Sequence, residues 1–251
     1  MPEITSYRPG SFCWTELATS DAASSTKFYT QLFGWTTNEI PISDGMFYVI
    51  LQRDGLSVAA LYETKDVPPN WLSYVNVTSV DESLAKAKEL GANVVAGPMD
   101  VFDAGRMGVL TDPQGAPFGL WQAAKHIGAR VAREPNTMCW NELCAKDDVA
   151  RAFYSALFGW RMEQVNYGEP YTLIHNGDEL AGGLFKMEDY GAEMPPNWMT
   201  YFSVADCDAT AAQVKSLGGK IFLEPKDIPT VGRIALFADP QGAMFSVLQP
   251  A

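Results

Sequence analysis

The chain has 251 residues, 47% of them hydrophobic and 19% charged, with 18 Lys and Arg against 30 Asp and Glu and a formal net charge of -12. That fits one large or two ordinary globular domains, each able to fold without disulfides or metals. The acidic balance excludes nucleic acid and anionic membrane as expected partners, since both require a basic face, and no apolar run approaches the roughly 18 residues of a membrane span.

In chain order, the opening MPEITSYRPG lacks the basic-then-apolar pattern of a signal peptide. Cys13, Cys139, Cys144 and Cys207 form no CxxC pair, so reduced thiols and a cytoplasmic location are expected. Residues 12–18 alternate as a strand, Asp21 is a helix cap, and Phe28, Leu32 and Phe33 share a helical face. Strands follow at 35–40 and 46–53, then an Asp54-Gly55 hairpin and a strand at 56–63. A second unit begins with a strand at 72–78 and a helix at 80–90, then strands near 93–96 and 106–111. A DPQG turn at 112–115 leads to a last strand at 116–122. The loops at 97–105 and 224–232, rich in Gly, Pro and Asp, read as flexible rims. The order strand, helix, three strands thus occurs twice.

The whole arrangement then repeats. FCWTEL at 12–17 recurs as MCWNEL at 138–143, FYTQLFGW at 28–35 as FYSALFGW at 153–160, and PPNW at 68–71 as PPNW at 195–198. GRMGVLTDPQGAPFGLWQ at 105–122 recurs as GRIALFADPQGAMFSVLQ at 232–249. Offsets of 125 to 127 residues leave almost no net insertion between the copies. A polar, Ala-rich stretch at 123–137 carries the boundary. The expected domains are 1–125 and 136–251, joined by a linker at 126–135. Within each copy, a Trp is followed 19 or 20 residues later by a Gly that suits a helix end, as in Trp14 to Gly34 and Trp71 to Gly91. Asn176-Gly177 takes the hairpin role of Asp54-Gly55.

Paired strand–helix–three-strand units, FY..LFGW after the first strand and GR…DPQG before the last resemble the vicinal-oxygen-chelate superfamily of glyoxalases, bleomycin-resistance proteins and extradiol dioxygenases. PPNW and GR…DPQG are most similar to its two-domain glyoxalase-like branch labelled hydroxylase or antigen. The resemblance covers nearly the whole chain. It implies an α+β fold of tandem domains, each two βαβββ units curled into an eight-stranded cup with helices outside and a ligand inside. In metal-dependent members a His or Glu on the first strand, a ligand on the fifth and a Glu on the last hold the ion. The matching positions here are Trp14, Leu72 and Gly119, then Trp140, Met199 and Ser246, none a good ligand for a divalent metal. No metal and no cofactor are therefore expected.

Strand alternation puts Glu16 on the face of Trp14, and Glu142 on that of Trp140. A carboxylate on an apolar wall has a raised pKa and can accept a proton, so both are the candidate catalytic residues. The structural alternative is a Glu satisfied by neighbouring donors. Trp14, Tyr74, Trp121, Trp140, Tyr201 and Ser246 are the candidate ligand-binding residues. The alternative is that the rings fill the cups. Trp121 crowds the first, whereas Ser246 and Leu248 leave the second roomier. Val75, Val77, Phe202 and Val204 suit the opposite, helix-packed face. Arg106 and Arg233 could clamp an anion or tie a loop to a carboxylate. His126 in the linker and His175 beside a hairpin tip read as surface histidines.

The expected function is a metal-independent glyoxalase-like protein that binds, and if Glu16 or Glu142 acts as acid/base transforms, a small apolar or aromatic molecule. The rivals are a metal-dependent lyase, isomerase or dioxygenase with unfamiliar ligands, and a degenerate domain pair kept for protein contacts. A small molecule is the expected partner, and self-association stays open.

Overall fold

The computed structural model describes residues 3–43, 45–186 and 195–251. Among these residues the strands form two eight-stranded sheets. The first contains β1 (Phe12–Thr19), β2 (Thr36–Ser43), β3 (Met46–Arg53), β4 (Leu56–Glu63), β5 (Asn70–Asn76), β6 (Asn93–Val101), β7 (Gly105–Thr111) and β8 (Pro117–Ala123). Its spatial order is β2-β3-β4-β1-β5-β8-β7-β6. The second contains β9 (Met138–Ala145), β10 (Arg161–Asn166), β11 (Pro170–Asn176), β12 (Glu179–Lys186), β13 (Asn197–Ser203), β14 (Lys220–Ile228), β15 (Gly232–Ala238) and β16 (Met244–Pro250). Its order, β10-β11-β12-β9-β13-β16-β15-β14, repeats the first. In each sheet the two first strands of the units pair antiparallel at the centre, as in Glu16 opposite Leu72 and Glu142 opposite Met199. These are the tandem α+β cups the sequence implies.

Four helices, α1 (Ala22–Phe33), α2 (Val80–Glu89), α3 (Asp147–Phe158) and α4 (Cys207–Ser216), cover the face opposite each cup. Asp21 caps α1 by accepting from the Ser24 N–H, and Gly34 ends it in the left-handed conformation at φ 69°. In the second copy Lys146 takes the cap position, and Asp147 inside the first turn pairs with Arg151. No described helix is long and apolar enough to cross a membrane.

The repeated motifs meet at the interface between copies. Trp71 of PPNW donates to the Tyr29 hydroxyl at 2.9 Å, and Tyr29 donates to Asp239 of the second DPQG turn at 3.1 Å. Reciprocally, Trp198 donates to Tyr154 at 2.8 Å, and Tyr154 to Asp112 of the first DPQG turn at 3.1 Å. Each Asp also accepts the N–H groups of its own turn, from Gln114 and Ala116 or from Gln241 and Ala243. Burial raises both carboxyl pKa values, against the pull of those N–H bonds. Between the sheets, Ser73, Asn141 and Thr200 form a dry hydroxyl–amide cluster, with Ser73 Oγ 2.5 Å from Asn141 Oδ1 and 2.9 Å from Thr200 Oγ1. The apolar core, including Phe28, Phe33, Phe202 and Phe245, runs through both copies without a break.

Two expectations change, for the rims and the histidines, and the alternative left open for the two arginines is decided in favour of the carboxylate tie. The stretches at 97–105 and 224–232 are largely strand, because β6 continues to Val101 and β14 to Ile228, leaving short turns. Arg106 bonds Asp81 and Asp100, and Arg233 bonds Asp208 and Asp227, so both guanidiniums are committed to tying a helix start to a strand. Neither histidine is a free surface group. The His175 side chain is 13% exposed, with Nε2 3.1 Å from a Glu163 oxygen, and His126 is packed into the first cup, where burial lowers its pKa.

Candidate functional site

In both cups the first strand of the domain projects a Trp and a Glu inward, and two tyrosines, one from the neighbouring strand and one from two strands away on the other side, close on the carboxylate. In cup 1, the Tyr48 hydroxyl donates to Glu16 Oε2 and the Tyr74 hydroxyl to Glu16 Oε1, both at 2.7 Å. Trp14 Nε1 donates to the Tyr48 oxygen at 3.0 Å. In cup 2, Tyr171 donates to Glu142 Oε1 and Tyr201 to Glu142 Oε2, again at 2.7 Å, and Trp140 Nε1 donates to Tyr171 at 3.0 Å. The chain of donors is the same in each copy.

The electrostatics follow from burial. Desolvation pushes both glutamate pKa values up, and the two phenolic hydrogen bonds offset this only in part. The phenols Tyr48, Tyr74 and Tyr171 are pushed well above their ordinary range by burial and by the adjacent carboxylate. They therefore stay protonated as donors.

Sequence reading places Trp14, Glu16, Tyr74 and Trp121 together in cup 1, and the structure brings them together there. It misses Tyr48 and Tyr171. Their signal was their recurrence at matching positions of β3 and β11. A second trace lies in β12: a Cβ on Gly183 would sit 1.8 Å from the Tyr171 hydroxyl, so only glycine leaves Tyr171 room. In cup 1 Ala60 takes the place of Gly183, and the close approach is instead at Gly119, where a Cβ would lie 2.2 Å from the Tyr74 ring. Ser246 occupies that position in cup 2 and lines the cavity.

The two cups differ in contents. Cup 1 is filled by the inter-domain segment. The His126 ring stands edge-on to Trp14 at 4.7 Å and to Trp121 at 5.9 Å. Trp121 Nε1 donates to the His126 carbonyl at 2.8 Å, the Ala129 N–H to the Cys13 carbonyl at 2.8 Å, and the Tyr7 hydroxyl to the Ala129 carbonyl at 2.7 Å. Gly128 passes so close to β1 that a Cβ there would lie 2.3 Å from the Cys13 oxygen. Cup 2 instead holds a cavity of about 580 Å³, lined by Trp140, Glu142, Tyr171, Met199, Tyr201 and Ser246 among others. At its mouth Lys226 of β14 lies 3.9 Å from Glu169 of the β10–β11 turn, bridging the two outer arms of the sheet.

The donor set does not fit the metal that the fold implies. Trp14, Leu72 and Gly119, or Trp140, Met199 and Ser246, supply no strong ligand. Among the described residues no group of three or more His, Cys, Asp or Glu is arranged to hold an ion. Beside the Trp of each cup stands one carboxylate, already engaged by two phenols, and the other carboxylates lining cup 2, Glu169 and Asp227, pair with Lys226 and Arg233.

A family model described as Glyoxalase/Bleomycin resistance protein/Dioxygenase superfamily matches residues 11–120 and 146–247. "Putative glyoxylase CFP32" of Mycobacterium tuberculosis is 42% identical over 260 residues, covering 100% of this chain and 99% of that protein. "Anthracycline biosynthesis protein DauV" of Streptomyces sp. (strain C5) is 34% identical over 264 residues, covering 98% and 95%. Among solved structures, the Mn(II)-bound glyoxalase from Novosphingobium aromaticivorans superimposes with a TM-score of 0.65 at 14% identity, covering 97% of this chain and 84% of that one. An anaerobic substrate complex of homoprotocatechuate 2,3-dioxygenase from Brevibacterium fuscum gives 0.65 at 15% identity, covering 100% and 84%. At such identities these two structures establish the fold alone.

Proposed function

The chain belongs to the glyoxalase/bleomycin resistance protein/dioxygenase superfamily, and from that membership we propose that its second cup binds a small, largely apolar aromatic molecule without a bound metal. The observation that carries this reading is the contrast in contents: one cup is filled by the chain itself, and its twin keeps a cavity of about 580 Å³ with a buried carboxylate on its wall. That volume lies within the range of small-molecule sites. Its walls are mostly apolar, and Trp140, Tyr171 and Tyr201 supply flat surfaces on which an aromatic ring can stack. The relative named for anthracycline biosynthesis agrees with an aromatic ligand.

Binding needs only the cup. Where the molecule is transformed, Glu142 is the group placed to act. Its carboxylate would take a proton from the bound molecule at Oε1 or Oε2, Tyr171 and Tyr201 would hold it in place, and the bound molecule, by displacing water from the apolar walls, would favour return of the proton to itself rather than to water. Glu16, sealed beneath the linker segment, would then serve structure.

Quenching of tryptophan emission by naphthalene-type probes tests the cup. Saturable quenching by one equivalent, unchanged after chelator treatment, is the expected result. Absence of quenching, or near one equivalent of tightly held zinc, nickel, iron or manganese lost on Glu142→Ala, would overturn this reading.

A further inference from the structure

Resting on that reading, we propose that cup 2 selects planar aromatics carrying a neutral hydroxyl, and that this hydroxyl donates to Glu142. The argument is an accounting of donors and acceptors on the cup wall. Three strong donors converge there: Trp140 Nε1, the Tyr171 hydroxyl and the Tyr201 hydroxyl. The first points at Tyr171, and the other two point at Glu142. Each Glu142 oxygen accepts one of these bonds, whereas an ionised carboxylate has room for about four. The constellation therefore presents unfilled acceptor capacity, with its own hydrogens already directed inward.

A ligand is sorted by what it brings to that carboxylate. A carbonyl, ether or carboxylate would set lone pair against lone pair, and a carboxylate would add charge repulsion between largely apolar walls. An ammonium would bring three N–H donors to a wall where Leu173, Met199, Leu223, Ile234 and Leu248 surround Glu142 and where the other lining carboxylates, Glu169 and Asp227, are already paired with Lys226 and Arg233, leaving donors unpaired. A phenol brings one donor in the plane of a flat apolar body. It gains a charge-assisted bond without stranding a second polar group. Ser246, also on the wall, can donate or accept and so tolerates a further substituent.

Four probes separate these cases: 2-naphthol, 2-methoxynaphthalene, 2-naphthoate and 2-naphthylmethylammonium, titrated against the full chain at neutral pH. The expected order places 2-naphthol first, at least about tenfold tighter than 2-methoxynaphthalene, the lower end of what one hydrogen bond to a charged acceptor contributes. Bound 2-naphthol, excited directly, should also show naphtholate emission, because the excited phenol transfers its proton to a carboxylate in contact. Glu142→Gln should narrow the naphthol–methoxy gap to less than about threefold and remove the naphtholate band, while 2-methoxynaphthalene still binds. Equal affinity of 2-naphthol and 2-methoxynaphthalene in the unaltered protein would overturn the proposed ligand class while leaving the cup reading intact. Tighter binding of the ammonium would do the same. Failure of all four probes to bind would overturn both, and the first comparison depends on no variant folding.

Discussion

The two cups are built from one plan and end in different states. Trp14, Glu16, Tyr48 and Tyr74 repeat as Trp140, Glu142, Tyr171 and Tyr201, with every corresponding hydrogen bond within the same 2.7–3.0 Å. In cup 1 this constellation lies under His126 and Ala129, so it stands without a ligand as a satisfied polar network. What distinguishes cup 2 is therefore the space beside the glutamate. The rims differ in step: Met46 and Met99, 45% and 44% exposed, stand where cup 2 has Glu169 and Lys226. One mouth is apolar over a filled floor, and the other is bridged by an ion pair over an open one.

The largest expected effect tests whether cup 1 is the drier. Glu16→Ala would leave two phenolic hydroxyls without an acceptor in a sealed interior, each unmet group costing about 1–3 kcal/mol. Glu142→Ala removes the same acceptor beside a cavity that water can enter, and should cost about 1 kcal/mol. Urea unfolding of the full-length variants gives both midpoints. Equal losses would mean that the linker segment does not isolate cup 1 from solvent.

Next in size is the segment itself. Gly128 has φ 109°, and a Cβ would strike the Cys13 carbonyl, so Gly128→Ala should lose about 1–3 kcal/mol. Displacing the segment should also uncover Trp14 and Trp121. An apolar dye that binds the unaltered protein once should then bind twice. A destabilised variant that still binds one equivalent would show that the rings of cup 1 fill it unaided.

Much of this was written in the chain. The repeat, the element order and the helix cap at Asp21 follow from local pattern, because periodicity and capping are short-range effects. Strand alternation was enough to put Glu16 beside Trp14. Tyr48 and Tyr171 were not found because their role depends on β3 and β11 lying two strands from β1 and β9, a matter of sheet order. The Trp–Tyr–Asp relays were missed for a similar reason. PPNW, FY..LFGW and DPQG each read as a local device, and only packing of the two copies joins Trp71, Tyr29 and Asp239. The linker read as exposed because its sequence is polar at the ends. Its apolar centre, with Ala129 and Val131 buried, was the overlooked sign.

A smaller effect separates the aromatic walls. Trp140→Leu should weaken an aromatic probe by about 0.5–1.5 kcal/mol beyond the lost contact area. Trp14→Leu should leave binding in cup 2 unchanged and lower the unfolding midpoint instead, since Trp14 is 5% exposed and holds His126. Equal loss of probe affinity in both variants would place the ligand elsewhere.

The smallest effect is in the pH dependence of stability, and its sign is fixed by the direction of the shifts. Glu16 and Glu142 have folded pKa values above the usual glutamate value of 4.5, with burial as the leading cause. Between the unfolded and folded values the native chain holds a proton that the unfolded chain has released. Stability from these groups is therefore present in full below the unfolded value, and it is lost as pH rises through the folded one. Asp81, Asp103, Asp208 and Glu163 shift downward through ion pairs with Arg106, Lys125, Arg233 and Arg161. Their contribution is lost instead as pH falls below the ordinary carboxylate range, and at exposed sites it is small. A decline in stability above that range thus belongs to the buried carboxyls, among which Asp112 and Asp239 also titrate high. Glu16→Gln should remove one share of the decline, a fraction of about 1.4 kcal/mol per pH unit. Glu142→Gln should remove a lesser share, because its carboxylate borders a cavity open to water. Melting curves taken from roughly pH 4 to 8 read the slopes. A Glu16→Gln curve parallel to that of the unaltered protein would mean that the two phenols hold Glu16 ionised throughout, despite its burial.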